Sequence, residues 1–212
     1  MSNDLRVIVR GFLQFLIGAL VSFGAFKLYV WSAMHPISPE AWVEVVQEAI
    51  LLFASIAFMV AAVRVREASG GLWLIAGFLM SLFIRELDCW FDYIRHGAWK
   101  YVFIIWLVIL TWIIATRARD TIFSGLAHFI RSRAWYLMLA GVVIVLVYSR
   151  LYGMKGLWEL YAMGSCSSWP GIKSFSEESM ELVGYTLIFF SAILYMMDVA
   201  EMKRDQIEDQ SK

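Results

Sequence analysis

Acidic side chains recur at helical spacing in apolar parts of this 212-residue chain. Glu44 and Glu48 are four residues apart, and so are Glu177 and Glu181, with Glu178 beside them. Residues four apart lie on the same face of an α-helix, one turn from each other. Each pair is therefore predicted to present two carboxylates in one direction.

A third segment combines acids with a cation. Arg85, Asp88 and Asp92 form one stripe on a helix, which His96 continues if the helix extends that far, and Glu86 lies on a neighbouring stripe. Asp88, Asp92 and His96 follow at four-residue steps, so this face could hold a divalent cation that prefers oxygen ligands. The alternative interpretation is that His96 is a solvated loop residue.

These charges lie at the ends of segments apolar enough to enter a membrane. A charged side chain at mid-bilayer costs about 2.5–3.5 kcal/mol on insertion scales, and such groups normally face the bundle interior or a watery cavity. The predicted site comprises seven residues, Glu48, Arg85, Glu86, Asp88, Asp92, His96 and Glu181, with Glu44, Glu177 and Glu178 as secondary members. In the alternative interpretation, the acids only hydrate helix ends and Arg85 forms an internal salt bridge with Asp88.

The two cysteines, Cys89 and Cys166, fall near the same predicted end of the bundle. If that side is oxidising, a disulfide could connect the long loop containing Cys166 to the bundle. The alternative is that both thiols are free, since the sequence does not provide the geometry that a disulfide requires.

The composition predicts an all-α membrane protein. The chain is 61% hydrophobic with a mean hydropathy of +0.68, above the roughly 45–50% apolar content of soluble domains. A spanning helix needs about 20 mostly apolar residues. We expect one domain over 1–202 with six transmembrane helices and a polar tail over 203–212. The predicted spans are 11–30, 42–63, 72–93, 101–116, 135–152 and 180–199, with a short interfacial helix between the fourth and fifth.

The distribution of Lys and Arg predicts the orientation. With six spans, the connections on one side hold eleven basic residues (Arg6, Arg10, Arg64, Arg66, Arg117, Arg119, Arg131, Arg133, Lys203, Arg204 and Lys212), and those on the other side hold five (Arg95, Lys100, Arg150, Lys155 and Lys173). The positive-inside rule makes the first side cytoplasmic. We therefore expect both termini in the cytoplasm, the acids on the outer side, and a location in a bacterial inner membrane.

Three functions are compatible with these patterns. The first is binding or transport of a cation or proton at an outer-facing carboxylate site. The second is a metal-assisted enzyme acting on a lipid or polyprenyl-linked headgroup, and the third is a structural subunit of a larger membrane complex. The expected partners are the lipid bilayer, a cation or lipid headgroup, and further copies or other subunits in a homo- or hetero-oligomer. No basic surface indicates nucleic acid.

Overall fold

The computed structural model describes residues 39–162 and 169–210, the side chains of 43–160 and 171–204, and ten single positions between Val9 and Val30. All ten of those positions are helical. Most of the predicted first span, 11–30, lies outside the described residues, as do Cys166 and hence the predicted disulfide.

The described residues are helical apart from short turns, and they include no strand. Nine α-helices follow one another in this part of the chain: α1 Pro39–Arg64, α2 Ser69–Glu86, α3 Asp88–Asp92, α4 Trp99–Ile113, α5 Ile122–Ile130, α6 Trp135–Val143, α7 Arg150–Gly153, α8 Lys155–Ala162 and α9 Trp169–Gln210. Single π-helical turns continue α4 through Ile114–Ala118 and join α6 to α7 through Ile144–Ser149. The expectation of an all-helical protein is confirmed.

Five stretches of the described residues are long and apolar enough to cross a membrane: Val43–Arg64, Arg66–Glu86, Trp99–Ile130, Trp135–Gly153 and Gly171–Arg204. They correspond to the second through sixth predicted spans. The helices are consistent with an integral membrane protein, and a total of six spans stays a prediction. A short helix is present where one was predicted between the fourth and fifth spans, as α5, which packs against the start of α2. Its interfacial position stays a prediction.

Three predicted boundaries were wrong. The third span ends at Glu86 rather than at 93, because the chain turns at Leu87 before the short α3 begins. The fourth continues beyond 116 as an almost unbroken helical path to Ile130. The helix that contains the predicted sixth span begins at Trp169 rather than at 180 and runs on through Gln210, so the polar tail is helical over the part described.

The core lies where α1, α2, α6 and α9 meet. Its largest fully buried side chains include three aromatic residues, Phe58, Phe129 and Tyr195, whose ring centroids are 5.2–5.3 Å apart. Buried hydroxyl groups in the core donate hydrogen bonds to backbone carbonyls of neighbouring segments. Ser55 donates to Ala76 at 2.9 Å, and Ser191 donates to Ala134 at 2.8 Å. A buried hydroxyl without such a partner would be costly in an apolar interior.

Paired glycines let helices approach closely at two crossings. A methyl group on Gly71 of α2 would overlap the backbone of Gly125 and Leu126 in α5. A methyl group on Gly141 of α6 would overlap the backbone carbonyl of Gly184 in α9. Small residues at helix crossings are the usual means of close packing in membranes, where burial against lipid supplies little driving force.

Replacing Gly71 with Ala is expected to destabilise the fold by about 1–3 kcal/mol, because the new methyl group meets backbone atoms that cannot rotate away. The control is Gly156→Ala in α8, where no atom lies within 4 Å. That change should be neutral or stabilising by up to about 1 kcal/mol, since Ala favours helix over Gly. Unfolding in mixed detergent micelles, followed by circular dichroism, measures both. Equal effects of the two changes would contradict the assigned helix crossing.

Candidate functional site

A cavity of about 180 Å³ lies at the end of the bundle where α1 begins, α2 ends and α9 begins. We call this the acidic cavity, and its lining includes Glu44, Arg85, Glu86, Asp88, Cys89, Arg150, Glu177, Glu178 and Glu181. The lining holds six carboxyl groups against two guanidinium groups. When all are ionised, it carries an excess of four negative charges.

The final helix brings three of these carboxylates into position. In α9, Lys173 and Glu177 form an i,i+4 ion pair of 3.0 Å, which favours helix in a segment too polar to read as a span. Glu178 and Glu181 follow within the same turn, and Glu181 is 4% exposed. The predicted convergence of Glu177 and Glu181 on one face is therefore present in the structure.

Glu181 is held by two groups from the preceding span. The guanidinium of Arg150 bonds its carboxylate directly. The Ser149 hydroxyl lies 3.0 Å from the same oxygen and 2.7 Å from the Val145 carbonyl oxygen, so its one proton is shared between these two acceptors. Arg150 also lies 3.7 Å from Glu177. Ser149 is the last residue of the π-helical turn Ile144–Ser149, and Arg150 follows it directly. Such turns are frequent at functional sites.

Glu86 of α2 is the second fixed carboxylate. Its Oε1 atom accepts a hydrogen bond of 2.9 Å from the hydroxyl of Tyr185 in α9, and it also contacts Arg85 at 2.5 Å. Tyr185 is fully buried. The hydrogen bond therefore joins α2 to α9 at the floor of the acidic cavity.

Glu178 is held from α1. The amide nitrogen of Gln47, which is fully buried, donates to the Glu178 carboxylate at 3.2 Å and to its backbone carbonyl at 3.4 Å. The Gln47 Oε1 atom is buried and, within the described part of the chain, has no hydrogen-bond partner. A buried acceptor of this kind normally finds a donor, so Gln47 is poised to accept a hydrogen bond from a polar group.

Three predicted site residues lie outside the lining. Glu48 accepts a hydrogen bond of 3.1 Å from the indole of Trp90. Asp92 is the last residue of α3 and His96 lies in the turn that follows. Asp92 contacts His96 at 2.8 Å and accepts a hydrogen bond from the Gly97 backbone at 3.0 Å. The Gly97 hydrogen bond and then the His96 contact hold the pKa of Asp92 below its ordinary value. This arrangement closes the turn, which Gly97 completes with a positive φ of 78°.

The predicted divalent-cation face is not assembled as expected. Asp88 and Asp92 belong to α3, and His96 lies in the exposed turn that follows. Across residues 43–160 and 171–204, no group of three or more His, Cys, Asp or Glu side chains could hold a metal ion. The break at Leu87 separates Arg85 from the stripe, while Asp88 and Asp92 remain together on α3 and Asp92 contacts His96. Of Asp88, Asp92 and His96, only Asp88 lines the acidic cavity.

Sequence reasoning missed several partners of the carboxylates. Arg150, Ser149, Tyr185 and Gln47 each contact a site glutamate, yet none was predicted to do so. One signal was available. A glutamate close to the apolar part of a span requires a cation or donor, and Arg150 is the basic residue at the matching end of the preceding span.

Comparison with protein-family models, curated proteins and solved structures gives no significant match for this chain. The fold and the acidic cavity define a class, a multi-helix protein with helices suited to a membrane and a carboxylate-rich cavity at one end.

Replacing Arg150 with Gln should destabilise the protein by about 1–3 kcal/mol, because the nearly buried Glu181 loses its charge partner. Adding Glu181→Gln should recover part of that loss. The control is Lys155→Gln, which breaks an exposed 3.4 Å pair with Glu159 and should cost less than about 1 kcal/mol. Detergent unfolding of the parent protein, Arg150→Gln, Glu181→Gln and the double variant gives a double-mutant cycle. Zero coupling between Arg150 and Glu181 would contradict the assigned pair.

The pKa of the Cys89 thiol is sensitive to the negative charges in and around the acidic cavity. Partial desolvation raises the pKa of its thiol, and the charges of Glu44, Asp88, Asp92 and Glu48 raise it further. Maleimide reacts with the thiolate, so the labelling rate in a Cys166→Ser background should reach half its maximum above pH 8.5, the ordinary thiol value. In Asp88→Asn the midpoint should fall. A midpoint at or below the ordinary value in the parent protein would show that the acids do not act on Cys89.

Proposed function

We propose that this chain is a multi-pass membrane protein whose acidic cavity binds and carries a small cation or protons. One observation supports the proposal above all. Six carboxyl groups from four helices line a single cavity with only two guanidinium groups among them. Like charges this close repel one another, and a bound cation or proton relieves that repulsion.

The positive groups at the site are already engaged. Arg85 contacts Glu86, Arg150 contacts Glu177 and Glu181, and Lys173 contacts Glu177. Two acids of the lining, Glu178 and Asp88, have no ion pair of 4.0 Å or less with a described basic residue. The local excess of negative charge therefore supports binding of a positive species and opposes binding of an anion.

The direction of the site follows from the charge distribution. Under the proposed six-span topology, the connections opposite the acidic cavity hold the larger number of Lys and Arg residues, so that side is cytoplasmic by the positive-inside rule. The acidic cavity then faces the outer side, both termini are cytoplasmic, and the protein resides in a bacterial inner membrane.

The exposed apolar face of α4, which includes Ile104, Val108 and Trp112, suits contact with lipid.

We favour cation or proton binding over the metal-assisted enzyme for a geometric reason. The enzyme requires Asp88, Asp92 and His96 to act with the glutamates, and neither Asp92 nor His96 lines the acidic cavity. If the protein were only a structural subunit, the contacts of Glu86 with Tyr185, Glu178 with Gln47 and Glu181 with Arg150 would serve stability alone. The matched variants below distinguish it from a binding role.

Glu178→Gln and Glu86→Gln should each weaken cation binding or flux by about tenfold or more, since each removes a charge from the acidic cavity. The protein is reconstituted in vesicles, and uptake of Na⁺, K⁺ and H⁺ is followed with entrapped ion-sensitive dyes under an imposed gradient. Binding of the same ions is measured by calorimetry in detergent. The expected result is a response to at least one ion in the parent protein.

The matched control is Glu159→Gln, an acid that is 54% exposed at the same end of the bundle and outside the lining. It should leave binding and flux unchanged. If the parent protein responds to none of the three ions, or if all three Gln variants behave alike, the acidic cavity is not a cation site.

A further inference from the structure

A second and larger cavity, of about 720 Å³, lies at the opposite end of the bundle. It is bounded by the end of α1, the turn Arg66–Ala68, helix α5 and the end of α9. On α1, Glu44 lines the acidic cavity and Arg64 lines this second cavity. The helical rise places these two residues roughly 30 Å apart along the axis, close to the thickness of a hydrocarbon core.

The lining of this second cavity, which we call the basic cavity, concentrates cations. Arg64, Arg66, Arg131 and Lys203 come from four different segments of the chain. Within the described part of the chain, none of the four forms an ion pair of 4.0 Å or less. The basic cavity thus gathers positive charge that the rest of the fold does not neutralise.

The two acids of the lining are fewer than its four bases. Asp198 is bonded to Arg133, which lies outside the lining and is also 3.6 Å from Glu201. With both acids counted, the lining carries an excess of two positive charges. The difference favours binding of an anion.

The polar groups and the walls narrow the chemistry of the ligand. His128 contacts the hydroxyl of Tyr195 through Nδ1 at 3.1 Å, and when Tyr195 donates that bond the other imidazole nitrogen carries a proton and is a donor. Val65, Val199 and Met202 supply apolar wall. Cationic donors beside an apolar wall, at the end of a spanning bundle, suit an anionic headgroup attached to a carbon skeleton.

We propose that the basic cavity binds a phosphate-bearing anion, either the headgroup of an anionic phospholipid or a soluble phosphate ester. Three of the four cations are arginines, whose planar guanidinium groups bind phosphate oxygens in pairs. The volume exceeds that of a single inorganic ion and accommodates a glycerol unit. This site is separate from the acidic cavity and does not depend on cation binding there.

The test uses the full chain purified in a neutral detergent and two probes. Calorimetry with glycerol 3-phosphate tests a soluble ester. Native mass spectrometry with phosphatidylglycerol, against phosphatidylcholine at the same concentration, tests the lipid. Binding of glycerol 3-phosphate, or preferential retention of phosphatidylglycerol, is the expected result, and the probe that binds identifies the source of the phosphate.

Arg66→Gln and Arg131→Gln should each weaken binding of that probe by about tenfold. The matched control is Arg117→Gln, an exposed arginine near the same end that does not line the basic cavity, and it should leave binding unchanged. Lys203→Gln, on the exposed end of α9, replaces either variant if it does not fold. Binding of neither probe overturns the proposal. Equal weakening by Arg117→Gln also overturns it, because the attraction would then come from general surface charge.

Discussion

The cost of placing an unpaired charge in hydrocarbon governs the arrangement of this molecule. The acidic and basic cavities lie at opposite ends of α1, about 30 Å apart by the helical rise, and the helices between them are packed with apolar and small side chains. Buried hydroxyls in that middle region, such as those of Ser55 and Thr186, bond backbone carbonyls. Polar groups therefore either bond within the bundle or collect at its two ends.

The same constraint explains which parts of the fold could be predicted from the sequence. The predicted spans 42–63 and 135–152 match α1 and the path from α6 to α7 within a few residues, because charged or Pro-containing segments flank apolar runs. Hydropathy does not detect a polar helix. The first eleven residues of α9, which come before the predicted span, were therefore missed. The turn at Leu87 was missed as well, since the residues on both sides of it are compatible with helix.

For the site, the sequence predicted faces of helices but not which helices are neighbours. Four-residue spacing placed Glu177 and Glu181 together, and the structure adds Glu86 and Asp88 from α2 and α3 to the same lining. Arg150 could not be assigned to Glu181 from spacing, because its position depends on the π-helical turn that precedes it. The close approach of α6 to α9 through Gly141 and Gly184 likewise becomes visible only in three dimensions.

The links around the acidic cavity converge on one helix. Glu86 of α2 bonds Tyr185, Gln47 of α1 bonds Glu178, and Arg150 of α7 bonds Glu181, so each link has one end on α9. A positive charge entering the acidic cavity would compete with the cations and donors that hold these glutamates, and would change the contacts of α9 with three other helices.

The same continuous helix carries Tyr195, Val199 and Lys203 into the lining of the basic cavity. A rigid element shared by two sites transmits a coupling free energy only if it has two arrangements that each ligand stabilises differently. Two such arrangements would differ in the bonds that Glu178, Glu181 and Tyr185 of α9 make with Gln47, Arg150 and Glu86.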